Sequence, residues 1–414
     1  MTTRLKAGQV DECSQNVVKK RGSENVFNRP KDPSKMLPQF YHAILASQLT
    51  AAQYLTLQML VMLVQTYKNI QIEKLAENLA LPAKYESRRR HIQRWLSLKI
   101  LTLSGIWHPI IREIIKRNWS AATRLELIID RTQWGERNIF MVSVRKGKRS
   151  LPISWTILNK KGASNLQEQK ELLTPVFVLL QEYNIIVIGD REFHSAKLGE
   201  WLKKRKVSFI LRQRKNTNIR EKNGEYHSLK EQLIIPGKRS ILRDVEVTLE
   251  SPSNYNIVIY SQRAYGERKE QEVWYLLTDL CDAKEVVKLY ERRWGIEAMF
   301  KDYKTGGYHI EDAKMKPERL EKMLIVIAIA YTIAVEKGEK IKASPHKCYV
   351  ERQRTIKQKP TKNSNFWVGM YGENWARCGT EMEKWAEKLG QINPNKRRFY
   401  QRGLKAKQYI LSIS

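Results

Sequence analysis

Apolar residues recur at helical spacing from about residue 38 to 104. AAQYLTLQMLVMLVQTY (51–67) forms one apolar-striped helix and IEKLAENLAL (72–81) a short second. KYESRRRHIQRWLSL (84–98) is a third, and it carries Arg88, Arg89, Arg90 and Arg94. From about 122 the pattern changes to aliphatic runs of strand length. RLELIIDRTQW (124–134), NIFMVSVRKG (138–147) and LPISWTILNKKG (151–162) are three strands joined by short turns. Next come a helix despite Pro175 (166–183), the strand NIIVIGDREF (184–193), a helix (195–206) and the strand SFILRQR (208–214). The order βββαβαβ predicts an antiparallel meander followed by two strands parallel to the first. The strand after the first helix should then lie beside the first strand. Residues 217–278 are strand-like and basic, and a helix follows from about 283 to the stop at Thr305-Gly306-Gly307. Past Pro317 a helix is apolar on all sides, hence buried.

These changes divide the chain into a flexible basic tail (1–35), a helical DNA-binding domain (36–115) and an α/β core (120–216 and 279–340). A β-strand insertion (217–278) interrupts the core, and a basic region (341–414) closes the chain. A short helix, a tight connection and an Arg-rich helix suit a helix-turn-helix reader of DNA. A helical domain with a solvated basic face fits the same pattern.

Charge sharpens this. The 414 residues hold 75 Lys+Arg against 43 Asp+Glu, a net charge of +32. That excess calls for a polyanionic partner, nucleic acid before anionic lipid. The longest apolar run, MLIVIAIAYTIAV (323–335), falls short of the ~20 residues that span a bilayer. With no signal-peptide pattern at the N-terminus, a soluble protein of the cytoplasm, associated with the nucleoid, is expected. Four scattered cysteines form no CxxC pair and the seven histidines no HExxH, so any metal would be held by oxygen ligands, as a hard cation.

Carboxylates stand where such a site could form. Asp130 ends LELIID and Asp190 ends IIVIGD. Either alone could be a turn residue or a helix cap. Side by side at neighbouring strand ends they repel unless an Arg, a Lys or a divalent metal lies between them. Glu297 would be a third oxygen ligand for Mg²⁺ or Mn²⁺. Two such ions can activate a hydroxyl nucleophile and stabilise the leaving oxygen in displacement at phosphorus. On a continuous helix Tyr290, Arg293, Glu297 and Lys304 fall within a stripe roughly 60° wide. Arg293 and Lys304 would grip DNA phosphates and Tyr290 would hydrogen-bond or stack there. Ordinary pairing on a solvated face is the competing reading.

Together these residues resemble the DDE transposases of the insertion-sequence-4 type. Tyr290, Arg293, Glu297 and Lys304 fill the family's Tyr-x2-Arg-x3-Glu-x6-Lys signature, Asp130-Arg131-Thr132 its Asp-x-Thr, and Asp190-Arg191 its Asp-Arg. The interval of 107 residues from Asp190 to Glu297 also suits a family that lodges a β domain before the third acid. The resemblance spans roughly residues 120 to 340. It implies a ribonuclease-H-like fold with a β insertion. It implies cut-and-paste transposition: nicking at transposon ends, attack of the freed 3′-OH through a hairpin, and strand transfer. It implies that Asp130, Asp190 and Glu297 hold two Mg²⁺, with Mn²⁺ as substitute, and that a homodimer engages terminal inverted repeats and target DNA. Relatives stack a flipped base on an aromatic residue of the insertion, for which Trp274 is a candidate and a packed strand residue the alternative. His194 is a helix-start residue or a proton shuttle. A structure-selective nuclease on the same fold and a non-catalytic DNA-binding regulator remain as alternatives.

Overall fold

The computed structural model describes residues 37–79, 81, 83–134, 137–222, 224–247, 253–261, 272–351, 363–377 and 397–413. The basic tail assigned to 1–35 and the basic stretch 352–362 lie outside them. The chain forms two compact units. One is Leu96–Ile325; the other joins the residues up to Trp95 with those from Val326 onward. The divisions made on the sequence fall elsewhere, at about 115 and 340.

The Leu96–Ile325 unit is built on one mixed sheet. Its strands are β1 (Leu125–Trp134), β2 (Arg137–Lys146), β3 (Arg149–Leu158), β4 (Ile185–Gly189), β5 (Ser208–Arg212), β6 (Asn218–Arg220), β7 (His227–Ser228), β8 (Arg239–Val247), β9 (Asn254–Ser261) and β10 (Val273–Thr278). Their spatial order is β3-β2-β1-β4-β5-β10-β9-β8-β6-β7. The expected meander is present: β2 pairs antiparallel with β1 and with β3. As expected too, β4 runs parallel to β1 and β5 parallel to β4. Every residue of β4 is buried, which its unbroken aliphatic run requires of a strand covered on both faces. The strands of 217–278 form no layer of their own. β10 pairs antiparallel with β5, β9 with β10 and β8 with β9, so they prolong the core sheet beyond the edge that β5 would otherwise expose.

Helices cover the sheet. In the N-terminal helices, α1 is Gln39–Leu45, α2 Ala51–Tyr67, α3 Ile72–Asn78 and α4 Tyr85–Trp95. In the sheet unit, α5 is His108–Asn118, α6 Leu166–Leu179 and α7 Ala196–Lys204. Asn165 caps α6 through a reciprocal pair with Glu168, and Pro175 sits inside that helix. The single helix expected from 283 to 304 is instead two, α8 (Ala283–Glu291) and α9 (Trp294–Tyr303). Across the join, backbone bonds shorten to the i−3 pattern: Arg293 N–H donates to Tyr290 O and Ile296 N–H to Arg293 O. α8 buries Val286, Val287, Leu289 and Tyr290 against Ile186, Ile188, Ile210, Val258 and Leu276 of the central strands. α9 packs across β1 to β3.

In the helical unit, α2 and α4 are tied by Thr56 Oγ1 and His91 Nε2 at 3.1 Å and by Trp95 Nε1, which donates to Gln53 O at 3.0 Å. α10 (Pro317–Ala343), whose residues to Ile325 belong to the sheet unit, has its buried, all-round apolar stretch from Met323 to Val335 as expected. α11 (Asn365–Ala376) and α12 (Arg397–Ser412) complete the described helices. No helix among the described residues is long and apolar enough to cross a membrane.

Candidate active site

The register of β1 and β4 sets the first two acids. Ile129 stands opposite Gly189 in the parallel pair, so Asp130 and Asp190 follow side by side at the same end of the sheet. Asp130 Oδ1 accepts from the N–H of Arg131 at 2.7 Å, and Asp190 Oδ1 from the N–H of Glu192 at 2.9 Å. Each strand tip thus orients its own carboxylate.

Glu297 comes from the first turn of α9. Two contacts seat that helix on β3. A Cβ on Gly295 would stand 2.8 Å from Ser150 Oγ and 3.3 Å from the Arg149 carbonyl, so the backbones approach only because no side chain intervenes. At the far end Arg149 Nε donates to Asp302 Oδ2 at 2.7 Å, an ion pair that is largely buried.

Arg293 joins the acids. Its Nη1 lies 3.6 Å from Asp130 Oδ2 and its Nη2 2.5 Å from Glu297 Oε1. The sequence reading gave this guanidinium to DNA phosphate. In the structure only 9% of Arg293 is exposed, and it is the countercharge between carboxylates that the sequence left open to an Arg, a Lys or a metal. Among the described residues no three His, Cys, Asp or Glu side chains stand assembled to hold a metal. The three acids fit a hard divalent cation in ligand type, and Arg293, between Asp130 and Glu297, occupies part of their charge.

The acids act on one another electrostatically. Burial first, then the charge of Asp190 and, more weakly, that of Glu297, push Asp130 up to about 7, against the pull of Arg293 and the Arg131 N–H. The folded value lies above the ordinary 3.8, so the folded chain holds this proton more tightly than the unfolded one. The stability it contributes is whole below about pH 4 and is lost as pH rises through about 7. Without divalent metal, Asp130→Asn should therefore gain thermal stability relative to the parent between about pH 5 and pH 8. A difference in melting temperature that stays constant across that range would contradict the shift.

The rest of the signature is placed otherwise than a single exposed stripe requires. Tyr290 is 2% exposed, and its ring meets Trp274 edge-on at a centroid distance of 4.9 Å. Burial raises its phenol pKa, and no ring face is open for stacking on a base. Trp274 is itself a packed strand residue, 8% exposed, with Tyr260 on its other side. Lys304 lies just past α9, with Nζ 2.9 Å from Glu311 Oε1 and 3.2 Å from the Gln133 carbonyl it donates to. His194 follows the turn after Asp190, its Nδ1 3.0 Å from Arg191 O, and burial lowers its pKa.

The Arg-rich α4 is equally particular. Arg88 donates to the carbonyls of Ala76 and Ala83, both at 2.8 Å, closing the α3–α4 connection. Arg89 Nε and Arg90 Nε hold Glu86 at 2.9 and 3.0 Å, pulling that carboxyl down to about 2, by the Arg89 hydrogen bond first. Arg94 Nε donates to Arg90 O at 3.4 Å. Arg90 and Arg94 are exposed, and Arg88 serves the fold.

A buttress that spacing alone does not reveal joins the two strand tips. Arg131 Nε donates to Glu192 at 2.8 Å, which binds the residue after one acid to the second residue after the other. Glu192 Oε1 also accepts the N–H and the hydroxyl of Ser164, both at 2.9 Å. Arg131 Nη1 reaches Asn138 Oδ1 at 2.9 Å. The available signal was that Arg131 and Glu192 both adjoin the acids.

No curated protein matches the sequence significantly. A cryo-EM structure of a piggyBac transposase synaptic complex with hairpin DNA aligns with 89% of this chain and 81% of that one. The identity is 14% and the TM-score 0.39, a likeness too loose to establish a shared fold. Residues 150–333, which include Asp190 and Glu297, match the family model described as the transposase DDE domain.

Proposed function

We propose that the chain is a DNA transposase that excises and inserts an element by metal-dependent phosphoryl transfer on a ribonuclease-H-like core. The observation that carries this reading is the convergence of Asp130 and Asp190 at adjacent parallel strand ends, with Glu297 tied to them through Arg293. A binding protein gains nothing from three clustered acids in a chain of net charge +32.

In this reading Asp130, Asp190 and Glu297 hold two Mg²⁺, with Mn²⁺ able to substitute. When bound, such ions activate a hydroxyl nucleophile and stabilise the leaving oxygen in displacement at phosphorus. Asp130 would have to be ionised to serve as a ligand. With the carboxylates so engaged, Arg293 would be free to meet a phosphate beside them. The buttress of Arg131, Glu192 and Ser164 keeps the first two carboxylates at fixed separation. Arg90 and Arg94 on α4 face a DNA duplex, and the general basic excess supplies non-specific affinity. The working form is a homodimer on paired element ends, located on the nucleoid.

Incubation of the full chain with duplexes carrying the element's terminal inverted repeats, Mg²⁺ and a target plasmid tests this. Joined products are expected. Cleavage that never yields joined DNA would return the chain to the structure-selective nucleases, and the absence of both would leave only a DNA-binding role.

A further inference from the structure

Beside the three acids stands a fourth carboxylate. Glu272 Oε1 lies 2.6 Å from Arg212 Nη2 and 3.0 Å from Arg191 Nη2, so one oxygen takes two guanidinium donors. Arg212 is a buried residue of β5, with its side chain 8% exposed, and its Nη2 also donates to Val273 O at 3.2 Å. Arg191 follows Asp190 directly and is open to solvent. Arg293 is near enough to act on Glu272 as a third positive charge, and Arg212 with Arg293 also flanks the Tyr290 phenol. Glu272 is itself more than half exposed, so burial does not lock its side chain in place.

A carboxylate oxygen bound by two guanidinium groups presents the charge and acceptor geometry of a non-bridging phosphate oxygen. Three arginines converging next to a phosphoryl-transfer site would draw in any nucleic-acid phosphate. In a chain with a net charge of +32, that attraction would act on every DNA in the cell. A half-exposed internal acid at the same point makes each incoming phosphate compete for the arginines. DNA held only by this cluster loses the contest, and DNA anchored elsewhere on the protein wins it.

We infer that Glu272 is an internal phosphate mimic, which occupies the Arg191/Arg212 cluster in the DNA-free chain and must be displaced before the backbone of a DNA substrate can enter. The inference rests on the proposed reading in taking duplex DNA as the ligand and the neighbouring acids as the reactive centre. Its action is on specificity: it weakens binding of unselected DNA at the reactive centre.

The test compares the full-length wild type, E272Q and E171Q for binding to short duplex DNA of random sequence. Fluorescence anisotropy in EDTA, over a series of salt concentrations, is the readout. Glu171 lies on α6 and is exposed, with Gln167 as its partner, so E171Q removes the same charge elsewhere. E272Q is expected to bind roughly tenfold more tightly than wild type, the scale of one charged hydrogen bond, with a salt slope steeper by about one phosphate. E171Q should stay within about twofold of wild type. Unchanged or weaker binding by E272Q, or an equal gain in E171Q, would overturn the inference. Tighter binding by E272Q from a chain that never cuts DNA would support the mimic while removing the transposase reading. A chain that cuts and joins DNA yet binds alike with and without Glu272 would do the reverse.

Discussion

Asp130→Ala, Asp190→Ala and Glu297→Ala should each lower strand cleavage at element ends by at least roughly 10³-fold, while binding to the same DNA changes by no more than about threefold. Loss of one well-placed electrostatic group at a transition state costs on the order of 10² to 10³. A metal ligand supplies more than that, because its removal also weakens the ion that carries the reaction. On the proposed reading the three substitutions should be comparable rather than graded. Asp130 and Asp190 end adjacent parallel strands, and Arg293 contacts both Asp130 and Glu297, so no one acid is peripheral. Asp130→Ala and Glu297→Ala also leave Arg293 with one carboxylate fewer, which raises the local positive charge and favours DNA. Single-turnover cleavage, measured beside a gel-shift titration on the same preparations, separates chemistry from binding. Cleavage within tenfold of the wild type for any one variant would remove that residue from the proposed machinery.

Gly338→Ala should be, with Gly369→Ala, among the most damaging single-methyl changes in the helical unit, costing about 3 kcal/mol. α10 and α11 cross at Gly338 and Gly369. A Cβ on Gly338 would lie 1.8 Å from Asn365 O and 2.8 Å from Gly369 N, backbone atoms that no rotamer change can move aside. The helices would have to part by more than about 1 Å. Parting them opens a layer that holds a buried ion pair. Lys337 Nζ meets Glu373 at 2.5 Å with both side chains nearly inaccessible, and Arg377 engages the other oxygen of Glu373. Such a pair is costly once its partners separate or water enters unevenly. Gly403→Ala is the contrast. The nearest atom to its added Cβ is Tyr349 Cε1 at 3.9 Å, so that change should be neutral or stabilise α12 by up to about 1 kcal/mol through helix propensity. Differential scanning calorimetry of the two variants decides it. Equal shifts would mean that the helix crossing yields more readily than its backbone contacts imply.

The elements were legible wherever local pattern and burial agree. Leu127–Ile129 and Ile185–Ile188 are unbroken aliphatic runs, and only a strand covered on both faces can bury them, as β1 and β4 do. The adjacency of Asp130 and Asp190 followed from chain order, because a strand reached through one helix crossover lies parallel beside its predecessor. The start of α6 is set locally, by the reciprocal cap of Asn165 and Glu168 that the structure shows.

Other features depended on partners far along the chain. Nothing within 217–278 says that β10 will pair with β5, since the hydrogen bonds of an edge strand are satisfied equally by a neighbour or by water. A stripe drawn on one ideal helix could not foresee the break at Arg292 and Arg293, which separates α8 from α9, the helix seated on β3 through Gly295. That same packing turns Arg293 inward onto carboxylates and buries Tyr290, two roles that charge and spacing assigned to the DNA surface. Arg88 looked like its neighbours on α4 until the fold brought it the carbonyls of Ala76 and Ala83. The sequence alone determined which acids and cations exist and which strands carry them, because those follow from residue type and nearest neighbours. Only the tertiary structure decided which charge faces which, since a side chain's partner is chosen by whatever the rest of the chain packs against it.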